Sequence, residues 1–196
     1  MARRCPQCKT PTFDSHQLAS ELDVICCTQC HGLFIASARY FAFLSASAGT
    51  AIEPRADFPV IDSRELKLCP DCGKFMHYYP VGDGLSFGID KCNTCGGIWL
   101  GAGEWEALCR CNLHRKLHAI SSDIWQERVE RETRAALERA AMLRRLGEED
   151  LAKLESISAW VQHHPHATEI LAYLRRAIPT TTMGFDSVTS KVSRSV

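Results

Sequence analysis

The chain has 196 residues, 45% of them apolar and 23% charged, an ordinary composition for a globular protein that excludes wholesale disorder. Lys and Arg balance Asp and Glu at 23 each, so this is not a polycation that coats nucleic acid by charge alone. Eleven cysteines are the departure from the ordinary.

The opening run Met-Ala-Arg-Arg-Cys5-Pro-Gln-Cys8 has two positive charges but no apolar stretch behind them, which predicts no secretory signal and a cytoplasmic chain. In a reducing compartment a dense set of cysteines is expected to hold metal rather than disulfides. Eight of the eleven form C-x-x-C pairs: Cys5/Cys8, Cys27/Cys30, Cys69/Cys72 and Cys92/Cys95. The first two pairs are separated by 18 residues and the last two by 19, both within the C-x2-C-x15–20-C-x2-C spacing of zinc sites. The two sets lie 64–65 residues apart, and Cys27-Thr-Gln-Cys30-His31-Gly32-Leu33-Phe34-Ile35 echoes Cys92-Asn-Thr-Cys95-Gly96-Gly97-Ile98-Trp99-Leu100. This is an internal duplication. Two thiolates three residues apart on a tight turn reach one ion at about 2.3 Å, and two such turns complete a tetrahedron with no position left for water. The spacing therefore predicts two structural zinc ions per chain, held by Cys5, Cys8, Cys27, Cys30 and by Cys69, Cys72, Cys92, Cys95. Lys9 and His31 stand where the second copy has Gly73 and Gly96, which predicts tenser turns in the first copy. Cys26 is expected to be a bystander beside Cys27, with a register swap between the two as the alternative.

Between the first pairs, Leu18 and Val24-Ile25 give a weak hairpin signal. Leu33–Ile52 lacks acidic groups, but six alanines and Arg39 argue against a membrane span, since a mid-bilayer Arg costs roughly 2.5–3.5 kcal/mol. A small-residue helix over about 37–47 is expected instead. Residues 45–66 read as a linker. In the second copy, Phe75–Tyr79 and Leu85–Ile89 flank Gly82-Asp83-Gly84, which predicts a β-hairpin. Units of 30–40 residues bury too little to fold unaided, so zinc must supply the deficit, on the order of 10–16 kcal/mol.

The stretch Cys92-Asn-Thr-Cys95-Gly96-Gly97-Ile98-Trp99-Leu100-Gly101-Ala102-Gly103-Glu104-Trp105, preceded by Cys69-Pro-Asp-Cys72, resembles the bacterial transcription-factor-type (TFIIB-like) zinc ribbon. The family's recurring form is C-P-x-C, a hairpin, then C-x-x-C-x-G-x-W-L-D-x-G-E-L. The resemblance covers residues 5–44 and 69–108, about 40% of the chain, and is looser in the first copy. It implies a zinc ribbon fold and a nucleic-acid- or protein-binding role. Gly101 replaces the family's Asp and reads as the N-cap of the next helix, with Glu104 at N3. The first copy carries Phe34 and Arg39 in place of the family's Trp and Glu.

Beyond the second ribbon, Cys111, His114 and His118 at i, i+3 and i+7 would form one helical stripe, either a third metal site with an outside ligand or plain core. Cys109 and the surface run His163-His164-Pro165-His166 need no metal, and Pro165 is placed at N1 of a helix. Helices are predicted over Ile124–Leu146, stopped by Gly147, then 149–163 and 165–177. Their inner faces are assigned to Trp125, Val129, Ala136, Leu137, Ala140 and Leu143, then Leu151, Leu154, Ile157, Trp160 and Val161, then Ile170, Leu171 and Leu174. The Ser/Thr-rich tail from Pro179 is expected to be disordered.

The predicted fold class is a small zinc-stabilised α+β protein: two tandem zinc ribbons followed by an α-helical hairpin or small bundle. The segments are ribbon one at 1–44, linker 45–66, ribbon two at 67–108, helical region 109–178 and tail 179–196. Eight thiolates and two dications bring the loaded chain to about −4 and ribbon two to about −5, a sign that repels phosphate. The expected function is a zinc-binding adaptor contacting another macromolecule, most readily protein, with a DNA- or RNA-binding accessory factor as the alternative. No enzyme is expected: C-P-x-C can be a redox pair, but the β-α-β flanks of a thioredoxin-like fold are missing. Self-association through the helical region is open, and no membrane partner is expected.

Overall fold

The duplicated units fold as two three-stranded modules that join edge to edge. In the computed structural model, which describes residues 3–19, 22–46 and 59–178, the first copy supplies β1 (Phe13–Ala19), β2 (Leu22–Cys27) and β3 (Leu33–Ile35). The second supplies β4 (His77–Gly82), β5 (Leu85–Lys91) and β6 (Ile98–Leu100). All pairings are antiparallel, in the order β1-β2-β3-β6-β5-β4. At the centre Leu33 pairs with Leu100, Phe34 with Trp99 and Ile35 with Ile98. Phe34 and Trp99 occupy equivalent positions of the repeat, so exchanging the two copies maps this register onto itself. The duplication has become a local two-fold inside one chain, and it conceals two edges that would otherwise invite pairing with another molecule.

Strand alternation gives the sheet two different faces. Leu33, Ile35, Ile98 and Leu100 point to one side, where they bury against Tyr40 and Phe43 of α1 (Ser37–Ala46) and Trp105 and Leu108 of α2 (Glu104–Arg110). Leu117 and Ile120 of α3 (Leu117–Ile120) complete this core. The Tyr40 hydroxyl in this core is satisfied: it donates to the His114 carbonyl at 2.9 Å and accepts from the Leu117 amide at 3.0 Å. Phe34 and Trp99 point to the opposite side, among the cysteines.

The fold is the expected α+β class with a helical C-terminal part. The chain divides into two compact units, Met1–Ala136 and Leu137–Val196. Residues 111–116 are turns rather than helix, and Leu113, Leu117 and Ile120 lie in the core of the first unit. The start of α4 (Asp123–Leu146) belongs with them: the Trp125 indole donates to the Val81 carbonyl at 2.8 Å and the Gln126 amide to the Pro80 carbonyl at 3.0 Å. In the second unit, α5 (Glu148–Gln162) and α6 (Ala167–Ala177) follow, with an Arg139–Glu155 ion pair at 2.7 Å. Pro165 precedes α6 in a turn, and His166 is the N-cap, two residues later than the sequence suggests. Of the predicted inner faces, Val129, Leu151 and Val161 are buried, whereas Leu137, Leu143, Leu154, Ile157, Trp160 and Leu171 are exposed. The tail from Pro179 and linker residues 47–58 lie outside the described residues. Among the described residues no helix is long and apolar enough to cross a membrane; the described part of Leu33–Ile52, the stretch weighed as a span, holds β3 and α1.

The described end of the linker is strapped onto ribbon two. The Ile61 amide donates to the Ala102 carbonyl, the Tyr78 hydroxyl to Asp62 at 2.9 Å, and the Lys67 ammonium pairs with Asp90 at 2.9 Å, both groups buried. This strap explains Gly101. A Cβ there would sit 2.9 Å from the Ile61 carbonyl oxygen, so the family's Asp does not fit. Helix α2 starts at Glu104 with Gly103 as its N-cap, a correction to the expected Gly101, although the Glu104 side chain still accepts from the Gly101 amide at 2.8 Å.

Burial, reinforced by Asp62 and Asp90, pushes the Glu104 carboxyl up to about 8, against the Gly101 hydrogen bond and the Lys67 ammonium. A raised folded-state pKa means that stability is full below the unfolded value near 4.5 and is lost as pH rises towards 8. Glu104→Gln keeps an acceptor for Gly101 and removes the titration. Its advantage over the wild type is expected to grow by about 2 kcal/mol between pH 6 and pH 9. Thermal melts of both proteins across that range, in one zinc buffer, measure it; parallel curves would contradict the buried charge.

Candidate metal centres

All four C-x-x-C pairs adopt one turn. The first cysteine's amide donates to the carbonyl five residues on: Cys5 to Thr10, Cys27 to Gly32, Cys69 to Lys74 and Cys92 to Gly97, at 2.7–2.9 Å. Its carbonyl accepts from the amide four residues on, in Lys9, His31, Gly73 and Gly96, at 2.8–3.0 Å. Closing the turn puts that fourth residue in the left-handed region, with φ of 63, 57, 71 and 73°. Glycine accepts this freely, whereas Lys9 and His31 hold it at roughly 1–2 kcal/mol each. The first copy is thus the tenser one, as its sequence implied.

The turns bring the sulfurs together in two groups, Cys5/Cys8/Cys27/Cys30 and Cys69/Cys72/Cys92/Cys95, each with its four Sγ atoms within 4.8 Å of one another. Cys5–Cys30 and Cys69–Cys95 are 3.5 Å apart, and Cys8–Cys27 and Cys72–Cys92 are 3.4 Å apart. A tetrahedron of sulfurs 2.3 Å from a central ion has edges of about 3.8 Å, so each group needs only a slight expansion around zinc. The donor chemistry agrees. Burial pushes the Cys5 thiol up to about 11 and raises Cys30 and Cys69 as well. At Cys8 burial acts the same way, but hydrogen bonds with the Thr10 hydroxyl and amide outweigh it and bring the thiol down to about 6. Four adjacent sulfurs cannot all ionise in such surroundings without a cation between them, and zinc takes the place of the protons.

The chain therefore has two zinc sites, each of four cysteines. Residues 68–110 match the TFIIB-type zinc ribbon family, described as a transcription factor zinc-finger. The match takes in the second zinc ribbon with its helix α2; the first ribbon stands beside it on its own four-cysteine cluster and identical turns. No curated protein and no solved structure matches the chain.

The remaining candidates are not gathered. Cys26 lies outside the first group, with its thiol directed to the Cys27 carbonyl at 3.7 Å, so Cys27 is the ligand in this register. Cys109 lies on α2 and is buried in the core, and Cys111 is exposed at that helix's C-cap. His114 is buried against Phe43 and Trp105, while His118 stacks on Phe41 at 4.5 Å. The helix that would have aligned these residues is broken by the turns at 111–116. His163, His164 and His166 lie at the α5–α6 turn, where His166 pairs with Glu169 at 3.2 Å.

One pair of contacts went unforeseen. A Cβ on Gly32 would lie 2.2 Å from the Trp99 ring, and a Cβ on Gly97 would lie 2.4 Å from the Phe34 ring. Each ribbon's aromatic covers the other ribbon's glycine, and these rings bridge the two zinc sites. The signal was in the sequence: Gly-x-Phe and Gly-x-Trp recur at the same repeat position.

Proposed function

We propose that this protein is a non-enzymatic adaptor whose zinc-supported sheet presents a surface to another protein. The observation that carries the reading is an apolar patch on the second zinc ribbon. Leu68 and Phe75 form an isolated antiparallel bridge beside the Cys69 turn, and with Leu66 they are 48–69% exposed. Large apolar groups left outside next to a rigid metal-held turn suit a protein contact. Trp99 and Trp105 of the second ribbon are buried and offer bases no platform, which leaves Phe75 as the exposed aromatic of the patch. Closed thiolate shells supply no open coordination position for catalysis.

The second reading, a DNA- or RNA-binding accessory factor, is favoured by the transcription-factor family of the second ribbon. Charge weighs against it, since the chain has no basic run longer than two residues. Non-specific binders reach Kd values of roughly 10⁻⁴–10⁻⁶ M at physiological salt by releasing counterions. The adaptor is expected to bind random duplex or single-stranded oligonucleotides more weakly than about 10⁻⁴ M near 0.15 M salt. Fluorescence anisotropy tests this. Micromolar binding whose log K falls steeply with log salt would replace the adaptor by the nucleic-acid reading.

A further inference from the structure

The second unit leaves its apolar side chains outside. Leu137–Val196 spans 60 residues, a size at which a chain buries too little surface to be more than marginally stable alone. Among its described residues only Leu151 and Val161 are buried large hydrophobics. Leu154, Ile157 and Trp160 recur at three-residue steps along α5 and are 40–57% exposed; Leu171 on α6 and Ile178 at its C-cap are likewise exposed. Leu143 and Leu146, at the end of α4, are exposed as well. A monomer rarely leaves so much apolar surface uncovered.

Charge indicates what covers it. Residues 137–178 hold six basic and six acidic groups; Arg139 pairs with Glu155, and Lys153 with Glu149 and Asp150, but the residues flanking Gly147 are sorted by sign. Arg144 and Arg145 end α4, and Glu148, Glu149 and Asp150 begin α5, on either side of Gly147. A uniformly acidic or basic partner would meet one favourable and one repulsive cluster. A second copy related by a two-fold axis meets both favourably, because in such an interface residue i contacts j while j contacts i. We propose that the helical unit completes its core against the same unit of a second copy, with Ile157 and Trp160 at the centre and the 144–150 clusters reciprocally paired at the rim. This inference does not depend on the adaptor reading, since it concerns a different unit and partner.

Sedimentation equilibrium of the zinc-loaded full chain tests it between about 1 and 100 μM. The expected mass is twice 21.9 kDa. Ile157→Glu with Trp160→Glu is expected to give a monomer that keeps its metal. Reversing Arg144 and Arg145 to Glu should weaken the dimer at least tenfold, and adding Glu148→Arg and Glu149→Arg should restore it. If the apolar double variant fails to fold, the charge reversal and its rescue decide. A wild-type monomer at 100 μM overturns the proposal, as does a dimer indifferent to these substitutions or a charge reversal without rescue.

Discussion

Cys92→Ser is expected to leave the chain with less than one zinc ion, not with one. A serine hydroxyl is a poor substitute for thiolate, so the second site loses its ion. The binding free energy forfeited, on the order of 10–16 kcal/mol, matches or exceeds the whole stability of an ordinary domain, about 5–15 kcal/mol. The first site does not survive as a bystander, because β3 pairs with β6 and Phe34 packs among cysteines of both groups. Loss should also spread beyond the ribbon. The helices' own apolar stripes suggest that everything after Ser121 would stay folded, but Leu117 and Ile120 share the sheet's core and Trp125 donates to Val81. Hydrogen exchange is expected to show residues 113–129 losing protection together with both ribbons. Metal analysis giving one zinc per chain, with β1–β3 still protected, would mean that the ribbons fold independently.

The chemistry-bearing residues were legible because ligand spacing is local. Two cysteines and the turn between them carry their geometry within five residues, and all eight ligands follow from that. The helices were nearly as legible, since Gly147 stops α4, the period of the apolar residues marks α4–α6 and a run of small residues marks α1. What escaped depended on distant partners. That β3 meets β6 cannot be read from either strand, as three apolar residues between a metal turn and a helix have no directional signature. That position 101 must be Gly could not be read locally either, because Ile61, forty residues earlier, occupies the space beside it. The Cys111/His114/His118 stripe assumed an unbroken helix, yet Asn112 takes φ of 54° and ends it. Apolar periodicity on α5 and α6 was present as read, but periodicity shows only that a face seeks cover, not that the same chain provides it.

Gly32→Ala is expected to destabilise the folded state by about 1–3 kcal/mol, the range for overpacking a close-packed interior. The added methyl would have to displace the Trp99 ring, which approaches to 2.2 Å of its position and is fully buried between the two zinc sites. A ring at a flexible edge could swing aside; this one is held by strand pairing with Phe34 and by the sulfurs around it. Gly73→Ala is the control. It sits at φ of 71° with open space around its Cβ position, and its counterpart Lys9 already has a side chain there, so only the backbone cost of roughly 1–2 kcal/mol applies. Total loss therefore does not separate the two, but coupling does. In a Trp99→Leu background the Gly32→Ala change should become nearly neutral, giving an interaction energy of about 1–3 kcal/mol in a double-mutant cycle, whereas Gly73→Ala should cost the same in both backgrounds. Thermal or urea unfolding of the zinc-loaded variants measures the cycle. Additive losses for Gly32→Ala and Trp99→Leu would show that the ring does not lock the ribbons, and the equivalent contact of Gly97 with Phe34, at 2.4 Å, would lose its meaning with it.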